Sequence, residues 1–123
     1  LGLFESADGD AYVGQWQGNA AHGMGVYYHE RGLTTYDGEW AEDLQHGLGV
    51  ETWDGGGQGS SKYGGQFVRG AKHGDGVYEW PDGSMYYGQF RASLIDGHGH
   101  YVDADGREFR GQWREAVSYR FGH

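Results

Sequence analysis

Tyr36-Asp37-Gly38-Glu39-Trp40 is the stretch that decides the fold, because near copies of it recur along the chain. Each copy has an aromatic residue, a glycine two positions later, and a second aromatic residue two positions after the glycine. The other copies are Tyr12-Gly14-Trp16, Tyr63-Gly65-Phe67, Tyr86-Gly88-Phe90 and Phe109-Gly111-Trp113. Successive copies begin 23 to 27 residues apart. Such a short, nearly fixed period is the signature of a repeat protein.

The spacing within each copy predicts a β-strand. Alternate residues of a strand point to the same face, so the two aromatic residues and the glycine would share one face. The residues between them, such as Asp37 and Glu39, would point to the other face and are mostly polar. A helix would distribute the same residues around its axis, so the strand is favoured.

A second group of fixed residues follows each of the first four copies. Six residues after the second aromatic residue, a His-Gly-x-Gly or Asp-Gly-x-Gly sequence opens another β-forming stretch, as in Gly76-Val77-Tyr78. These sequences begin at His22, His46, His73 and Asp96. The intervening loop holds a residue that tolerates positive φ at Asn19, Asp43 and Gly70, with Ser93 as the exception. We therefore expect each repeat to be a β-hairpin.

Dipeptides typical of tight turns close the hairpins. They are Asp8-Gly9, Arg31-Gly32, Asp54-Gly55, Asp82-Gly83 and Asp105-Gly106. One such hairpin cannot bury its aromatic face alone, so the repeats must stack on one another. We expect an aromatic ring of the adjacent repeat to pack over the glycine in the middle of each first strand.

The sequence thus predicts an all-β fold, an elongated single-layer array of antiparallel β-hairpin repeats in one domain over residues 1–123. A partial repeat at 1–11 precedes four repeats, which begin at residues 12, 36, 63 and 86. A partial repeat at 109–123 follows them. The insertion at 54–62 is rich in glycine and serine and is predicted to be a surface loop.

Composition and charge narrow the functional classes. Glycine accounts for 26 of 123 residues, which disfavours a helical protein because an interior glycine costs a helix about 1 kcal/mol. The formal charge is −9, and residues 1–61, with ten acids and one base, carry all of it. Because this half would repel a phosphate backbone, we expect no nucleic-acid partner. There is no cysteine, no signal peptide and no apolar run of ~20 residues, which favours an intracellular location.

Tyr-x-Gly-x-Trp/Phe followed by His-Gly-x-Gly and Asp-Gly resembles the MORN (membrane occupation and recognition nexus) repeat, over residues 1 to about 115. Asp96, Ser93 and the 54–62 insertion depart from the family's pattern. The resemblance implies a scaffold with a groove along one side, in the cytoplasm, in the cytoskeleton or at the cytoplasmic face of a membrane. It also implies that array ends can associate into a homodimer.

The leading functional prediction is a protein-interaction scaffold. The aromatic rings mainly form the core, but a single layer leaves some of their edges exposed, and Tyr and Trp suit partner contacts. The predicted groove residues are Tyr12, Trp16, Tyr36, Trp40, Tyr63, Phe67, Tyr86 and Phe90. We expect a protein or peptide partner; because the first half is acidic, this partner should carry basic residues, and a helical segment is a candidate form.

Two other binding functions remain open at this point. The later repeats carry more basic residues, so Arg107, Arg110 and Arg114 are candidates for contact with anionic phospholipid headgroups. A net charge of zero over residues 62–123 weakens this reading, and a solvated basic face is its simpler explanation. Repeated aromatic residues and glycines also occur in carbohydrate-binding proteins, although the His-Gly-x-Gly sequences argue against that class.

Catalysis and metal binding find no support in the pattern. His22, His46, His73 and Asp96 occupy equivalent positions of stacked repeats, about 10 Å apart, whereas metal ligands must converge on one point. Hydrogen bonds to the turns are the preferred role for these side chains. His98 and His100 share a strand face and are a weak exception. The Gly-x-Gly pairs lack the strand-to-helix setting of a phosphate site. We therefore expect no catalytic residue, no metal and no cofactor.

Overall fold

The computed structural model describes residues 2–29, 32–54 and 59–116, and nearly all of them lie in one antiparallel β-sheet. The sheet has ten strands, and each pairs with its neighbours in sequence. They are β1 (Gly2–Glu5), β2 (Ala11–Gln17), β3 (Ala20–His29), β4 (Thr34–Ala41), β5 (Leu44–Asp54), β6 (Ser60–Val68), β7 (Ala71–Glu79), β8 (Met85–Arg91), β9 (Leu94–Val102) and β10 (Glu108–Ala116). The prediction of an all-β, single-layer array of antiparallel hairpins is confirmed.

Each repeat supplies two strands with the same register. The aromatic–glycine–aromatic stretch forms the first strand, and its glycine pairs with the second glycine of the His-Gly-x-Gly sequence, as Gly14 does with Gly25. The next repeat then pairs onto the second strand, where Gly25 faces Gly38. β1 takes the place of such a second strand, because Gly2 faces Gly14 across β1 and β2.

The first strands of the four described hairpins, β2, β4, β6 and β8, each face a bulge in the second strand. In the first repeat, pairing is continuous up to Gly14 and Gly25 and resumes at Trp16 and Ala21, so Gln15 alone faces three residues. The first glycine of each His-Gly-x-Gly sequence lies in this bulge with φ between +91° and +109°. These residues are Gly23, Gly47, Gly74 and Gly97. Because side chains strain in this backbone region, glycine recurs there.

The described turns agree with the sequence in their positions but differ in detail. In the turns at Asp8-Gly9, Asp82-Gly83 and Asp105-Gly106 only the glycine has positive φ, for example +91° at Gly83, whose N–H donates to the Trp80 carbonyl. In the hairpin loops, Ser93 has φ of +69°, close to the +70° of Asp43. The fourth loop therefore has the same conformation as the second, although serine is not a residue typical of positive φ. The first hairpin differs, because Gly18 rather than Asn19 has positive φ there.

The strands extend into the segment predicted as an insertion loop. β5 continues to Asp54 and β6 begins at Ser60, so the connection between them covers residues 55–59. Residues 55–58 and 117–123 lie outside the described part of the chain, and with them parts of the predicted 54–62 loop and of the partial repeat at 109–123. Within the described ranges, no helix has the length and apolar character needed to cross a membrane.

Candidate functional site

One face of the sheet, called here the inner face, carries the aromatic residues in cross-strand rows. One row runs across all ten strands, because each of its members pairs with the next. Its members are Phe4, Tyr12, Tyr27, Tyr36, Glu51, Tyr63, Tyr78, Tyr86, Tyr101 and Phe109. Glu51 is the one charged residue of this row.

The first strands add a second set of rings, which joins the repeats into a continuous ladder. Within a repeat, the two aromatic residues meet edge to face, as Tyr36 and Trp40 do with ring centroids 5.0 Å apart. Between repeats, the tyrosine also meets the second aromatic residue of the next repeat, as Tyr36 does with Phe67 at 5.0 Å. The same two contacts recur at Tyr12, Tyr63 and Tyr86. Such pairs contribute about 0.5–1.5 kcal/mol each beyond the area they bury.

This ladder decides how much of each predicted groove residue a partner can reach. Seven of the eight rings are at most 8% exposed, and these are Tyr12, Tyr36, Trp40, Tyr63, Phe67, Tyr86 and Phe90. Trp16 is different, with 37% of its surface exposed. Its ring centroid lies 5.0 Å from that of Tyr12, and its indole packs beside Gly2. Among these eight side chains, Trp16 therefore offers the accessible ring surface.

The glycines of the inner face allow the tyrosine rings to lie flat on the backbone. A Cβ on Gly38 would lie 2.5 Å from Gly49 Cα, so two glycines face each other across the hairpin. The ring of Tyr36 covers Gly49, and its hydroxyl donates to the Glu39 carbonyl at 2.8 Å. We expected a ring from the adjacent repeat over the middle glycine. Instead the nearest atoms belong to the same hairpin, because the tyrosine folds back over its own partner strand.

A glutamine or glutamate in each first strand, which the sequence analysis treated only as a polar outward residue, holds the bulge. The Gln15 side-chain oxygen accepts the N–H of Met24 at 2.7 Å. In the next three repeats, the side-chain oxygens of Glu39, Gln66 and Gln89 accept the equivalent backbone N–H. The signal was present in the sequence, because the residue three positions after each first aromatic residue is always Gln or Glu.

The hairpin loops bind each repeat to the one before it. Asp43 donates its N–H to the Ala21 carbonyl at 3.0 Å, and its carboxylate accepts the Ala21 N–H at 2.7 Å. Ser93 makes the same two hydrogen bonds with Lys72. The His46 imidazole accepts the N–H of Arg69 in the following loop at 3.3 Å. The preferred role of the repeated histidines, hydrogen bonds to turns, is thus seen at His46 and also at His73.

Two cavities open on the inner face, and both lie in the acidic half of the chain. The first, called here the terminal cavity, has a volume of about 510 Å³ and is mainly apolar. Phe4, Trp16, Tyr27 and Trp40 form its walls, and Asp43 adds a carboxylate. Its size and lining suit a large apolar side chain.

The second cavity, called here the inter-repeat cavity, has a volume of about 250 Å³. Tyr27, His29, Tyr36, Gln45 and Glu51 line it, together with two threonines. The Tyr27 hydroxyl donates to the carboxylate of Asp10 at 2.6 Å, and that hydrogen bond, with burial, raises the pKa of Tyr27 to about 12. The same oxygen of Asp10 lies 3.0 Å from His29 Nδ1.

One repeat further along, a lysine occupies the corresponding place. Lys72 Nζ lies 3.7 Å from the Glu51 carboxylate, 4.7 Å from the centre of the Trp53 ring and 5.5 Å from that of Tyr63. The side chains of Lys72 and Glu51 are 13% and 16% exposed. Burial raises the pKa of Glu51 and lowers the pKa of Lys72, and the opposite charge of each partner offsets part of the shift.

The basic residues of the last repeats do not form a cluster of free charges. Arg107 lies in the turn before β10, where its guanidinium pairs with Asp103 at 2.8 Å and with Asp105 at 3.6 Å. Arg110 and Arg114 are exposed on β10. Arg110 pairs with His100, so by strand alternation it lies on the face opposite the aromatic row.

Residues 2–29, 32–54 and 59–116 hold no cluster of three or more His, Cys, Asp or Glu side chains with the geometry to bind a metal ion. His100 pairs with Glu108 at 2.7 Å, and His98 lies 3.4 Å from the Gln112 amide, so these two histidines bind neighbouring β10 residues.

Comparison with known proteins places these repeats in a family. The family model described as the MORN repeat matches the chain four times, at residues 12–34, 36–58, 63–85 and 86–106. No curated protein gives a significant match to the chain. Repeats of the MORN type are typically modules for interaction with proteins or membranes, and they are generally non-catalytic.

Proposed function

The chain belongs to the MORN-repeat family, and from this premise we propose that it is a non-catalytic scaffold that binds a segment of a partner protein on its inner face. The observation that carries the proposal is the terminal cavity, where 37% of Trp16 remains exposed beside Phe4 and Tyr27. An exposed tryptophan in a concave apolar site is a frequent energetic centre of protein interfaces.

Charge supports a protein ligand over an anionic membrane. Residues 1–61 carry a formal charge of −9, and Asp43 and Glu51 line the two cavities. A basic partner segment is attracted to this half of the array, whereas an anionic headgroup is repelled. Arg107, which would have to meet such a headgroup, already pairs with Asp103.

A selection of displayed peptides on the purified protein tests the proposal. Peptides that bind the wild type should lose at least tenfold in affinity for Trp16→Ala and for Ala21→Ile, which fills the terminal cavity. Tyr87→Ala is the matched control, because Tyr87 is 41% exposed and projects from the opposite face. Urea denaturation first establishes that each variant is folded.

Two results would count against the proposal. Equal binding of the peptides to the wild type and to Trp16→Ala would place their site elsewhere. The second is co-sedimentation with phosphatidylserine vesicles at physiological salt that is lost when Arg107, Arg110 and Arg114 are changed to alanine. It would favour the membrane function instead.

A further inference from the structure

A single position of the repeat controls how open the inner face is. It is the residue just before the His-Gly or Asp-Gly pair, and it always faces the second aromatic residue of its hairpin. The four repeats place Ala21, Gln45, Lys72 and Ile95 there. Ile95 is fully buried and Lys72 is 13% exposed, so their side chains fill the face at the third and fourth repeats.

The two cavities lie beside the first two members of this set. Ala21 lines the terminal cavity, and Gln45 lines both cavities. The inter-repeat cavity is the counterpart, one repeat earlier, of the place that Lys72 fills. Tyr36 stands in it where Tyr63 stands beside Lys72, and His29 stands where Trp53 does. Tyr27 takes the place of Glu51, and the carboxylate of this cavity comes instead from Glu51 on the following strand.

We propose that the inter-repeat cavity accepts a lysine side chain of the partner protein, which enters as Lys72 does one repeat further along. The terminal cavity receives an apolar side chain of the same partner segment. This inference rests on the proposed function and adds the chemistry of the ligand to it.

The lining of the inter-repeat cavity suits an ammonium group. Glu51 contributes a carboxylate to its wall, and Tyr27 and Tyr36 contribute aromatic rings. Asp10 lies behind Tyr27 and adds a second negative charge close by. An ammonium group next to aromatic faces and a carboxylate is stabilised by both, as Lys72 is by Trp53 and Glu51.

The ion pair that Glu51 already makes favours lysine within the class of basic side chains. The slender alkyl stem of a lysine can pass between rings while its head reaches the carboxylate. A planar guanidinium binds a carboxylate best through both oxygens, whereas Glu51 Oε1 already faces Lys72 Nζ at 3.7 Å, so a single ammonium contact suits this carboxylate better.

The test uses n-butylammonium, which has the shape and charge of a lysine side chain, and n-butanol as its neutral counterpart. NMR titration of the labelled protein should show saturable shifts centred on Tyr27, Gln45 and Glu51 with n-butylammonium. We expect n-butanol to bind at least tenfold more weakly. Equal binding of the two probes, or shifts centred elsewhere, would overturn the inference.

Gln45→Lys places in the second repeat the residue that the third repeat carries at the equivalent position, Lys72. Its ammonium group should compete for the cavity and weaken n-butylammonium binding at least tenfold. Gln17→Lys is the matched control, because it adds the same charge to the same half of the chain at an exposed position of the other face. It should reduce binding less than twofold. Undiminished binding to Gln45→Lys would contradict the inference.

The selected peptides separate this inference from the proposed function. Peptides that need Trp16 but bind the wild type and Gln45→Lys equally would leave the scaffold function standing and refute the lysine site. If n-butylammonium binds but no selected peptide needs Trp16, the cavity would still accept an ammonium group, and the proposed scaffold function would be refuted. Loss of affinity both in Gln45→Lys and when a peptide lysine is replaced by norleucine supports both.

Discussion

Tyr63 lies directly on the backbone of Gly76, so closely that a Cβ on this glycine would be 2.5 Å from Cε1 of the ring. Tyr63 has no exposed surface, and its hydroxyl donates to the Gln66 carbonyl at 2.8 Å. The ring can neither move outward nor tilt without breaking that hydrogen bond and its contacts with Phe67 and Phe90.

Gly76→Ala should therefore lower the free energy of unfolding by about 3 kcal/mol, as expected for overpacking in a rigid core. Urea denaturation measures the change. Gly64→Ala is the control in the neighbouring strand, because its Cβ would meet only Val50 Cγ2, at 3.8 Å. We expect this variant to be neutral or up to about 1 kcal/mol more stable, since glycine weakens a strand. Similar destabilisation by both changes would contradict the steric explanation.

The hydrogen bond that the Met24 N–H donates to the Gln15 side-chain oxygen in the bulge can be tested by two substitutions at position 15. Gln15→Ala should destabilise the fold by about 0.5–1.5 kcal/mol, the usual net value of one hydrogen bond. Gln15→Glu should retain most of the stability, because Glu39 makes the same bond in the next repeat. The measurement is again urea denaturation, and equal losses in both variants would show that the bond is not what matters.

The fold should be less stable with the ion pair between Glu51 and Lys72 than with the apolar residues that other repeats carry at these two positions. The double variant Glu51→Tyr with Lys72→Ile copies Tyr78 and Ile95 of the chain itself. We expect it to be about 1–4 kcal/mol more stable than the wild type, because two partly buried charges no longer lose their hydration.

Lys72→Ile alone is the informative comparison for that pair. It leaves the Glu51 carboxylate without its cation, and we expect a loss of about 3 kcal/mol. Thermal and urea denaturation at pH 7 measure both variants. A double variant that is no more stable than Lys72→Ile would mean that the pair supports the fold.

The hydrogen bond from Tyr27 to Asp10 should give a pH dependence at alkaline pH. The pKa of Tyr27 is raised to about 12 in the fold, against an ordinary value of 10.0. Because the folded state holds this proton more tightly, its contribution to stability is present below pH 10 and is lost as the pH rises towards 12. Asp10→Asn should lower the pKa of Tyr27, measured from the tyrosine Cζ resonance. An unchanged pKa would exclude Asp10 as the main cause.

The loop at Ala92 and Ser93 offers a stabilising change. Both residues have positive φ, +50° and +69°, which is unfavourable for residues with a side chain. Ala92→Gly should therefore raise the free energy of unfolding by about 1 kcal/mol. Ala71→Gly, at the start of β7, should lower it instead. Destabilisation in both variants would show that the loop conformation costs little.

The sequence predicted the sheet well because the alternation in Tyr36-Asp37-Gly38-Glu39-Trp40 is strict and repeated. It did not predict the bulge, since Glu39 looks like any outward polar residue until its side chain is seen to accept the Leu48 N–H. The exposed fraction of each ring could not be predicted from the sequence either. Alternation assigns a ring to a face, but the neighbouring repeat decides how much of the ring is covered.

The candidate cavities were missed for a related reason. A repeat pattern is defined by the positions that stay the same. One position differs in size and charge between repeats, and its residues are Ala21, Gln45, Lys72 and Ile95. All four precede a His-Gly or Asp-Gly pair, but only the strand pairing shows that each faces the second aromatic residue of its hairpin. The recognition chemistry proposed here lies where the repeats differ.

The aromatic ladder couples the folding of neighbouring repeats. Tyr36 touches Trp40 of its own hairpin and Phe67 of the next hairpin. The contact between Tyr36 and Phe67 is therefore lost when either of the two hairpins opens. A repeat with a neighbour on each side loses ring contacts on both sides when it opens. Stability is shared between nearest neighbours, so the described repeats are expected to melt together rather than one at a time.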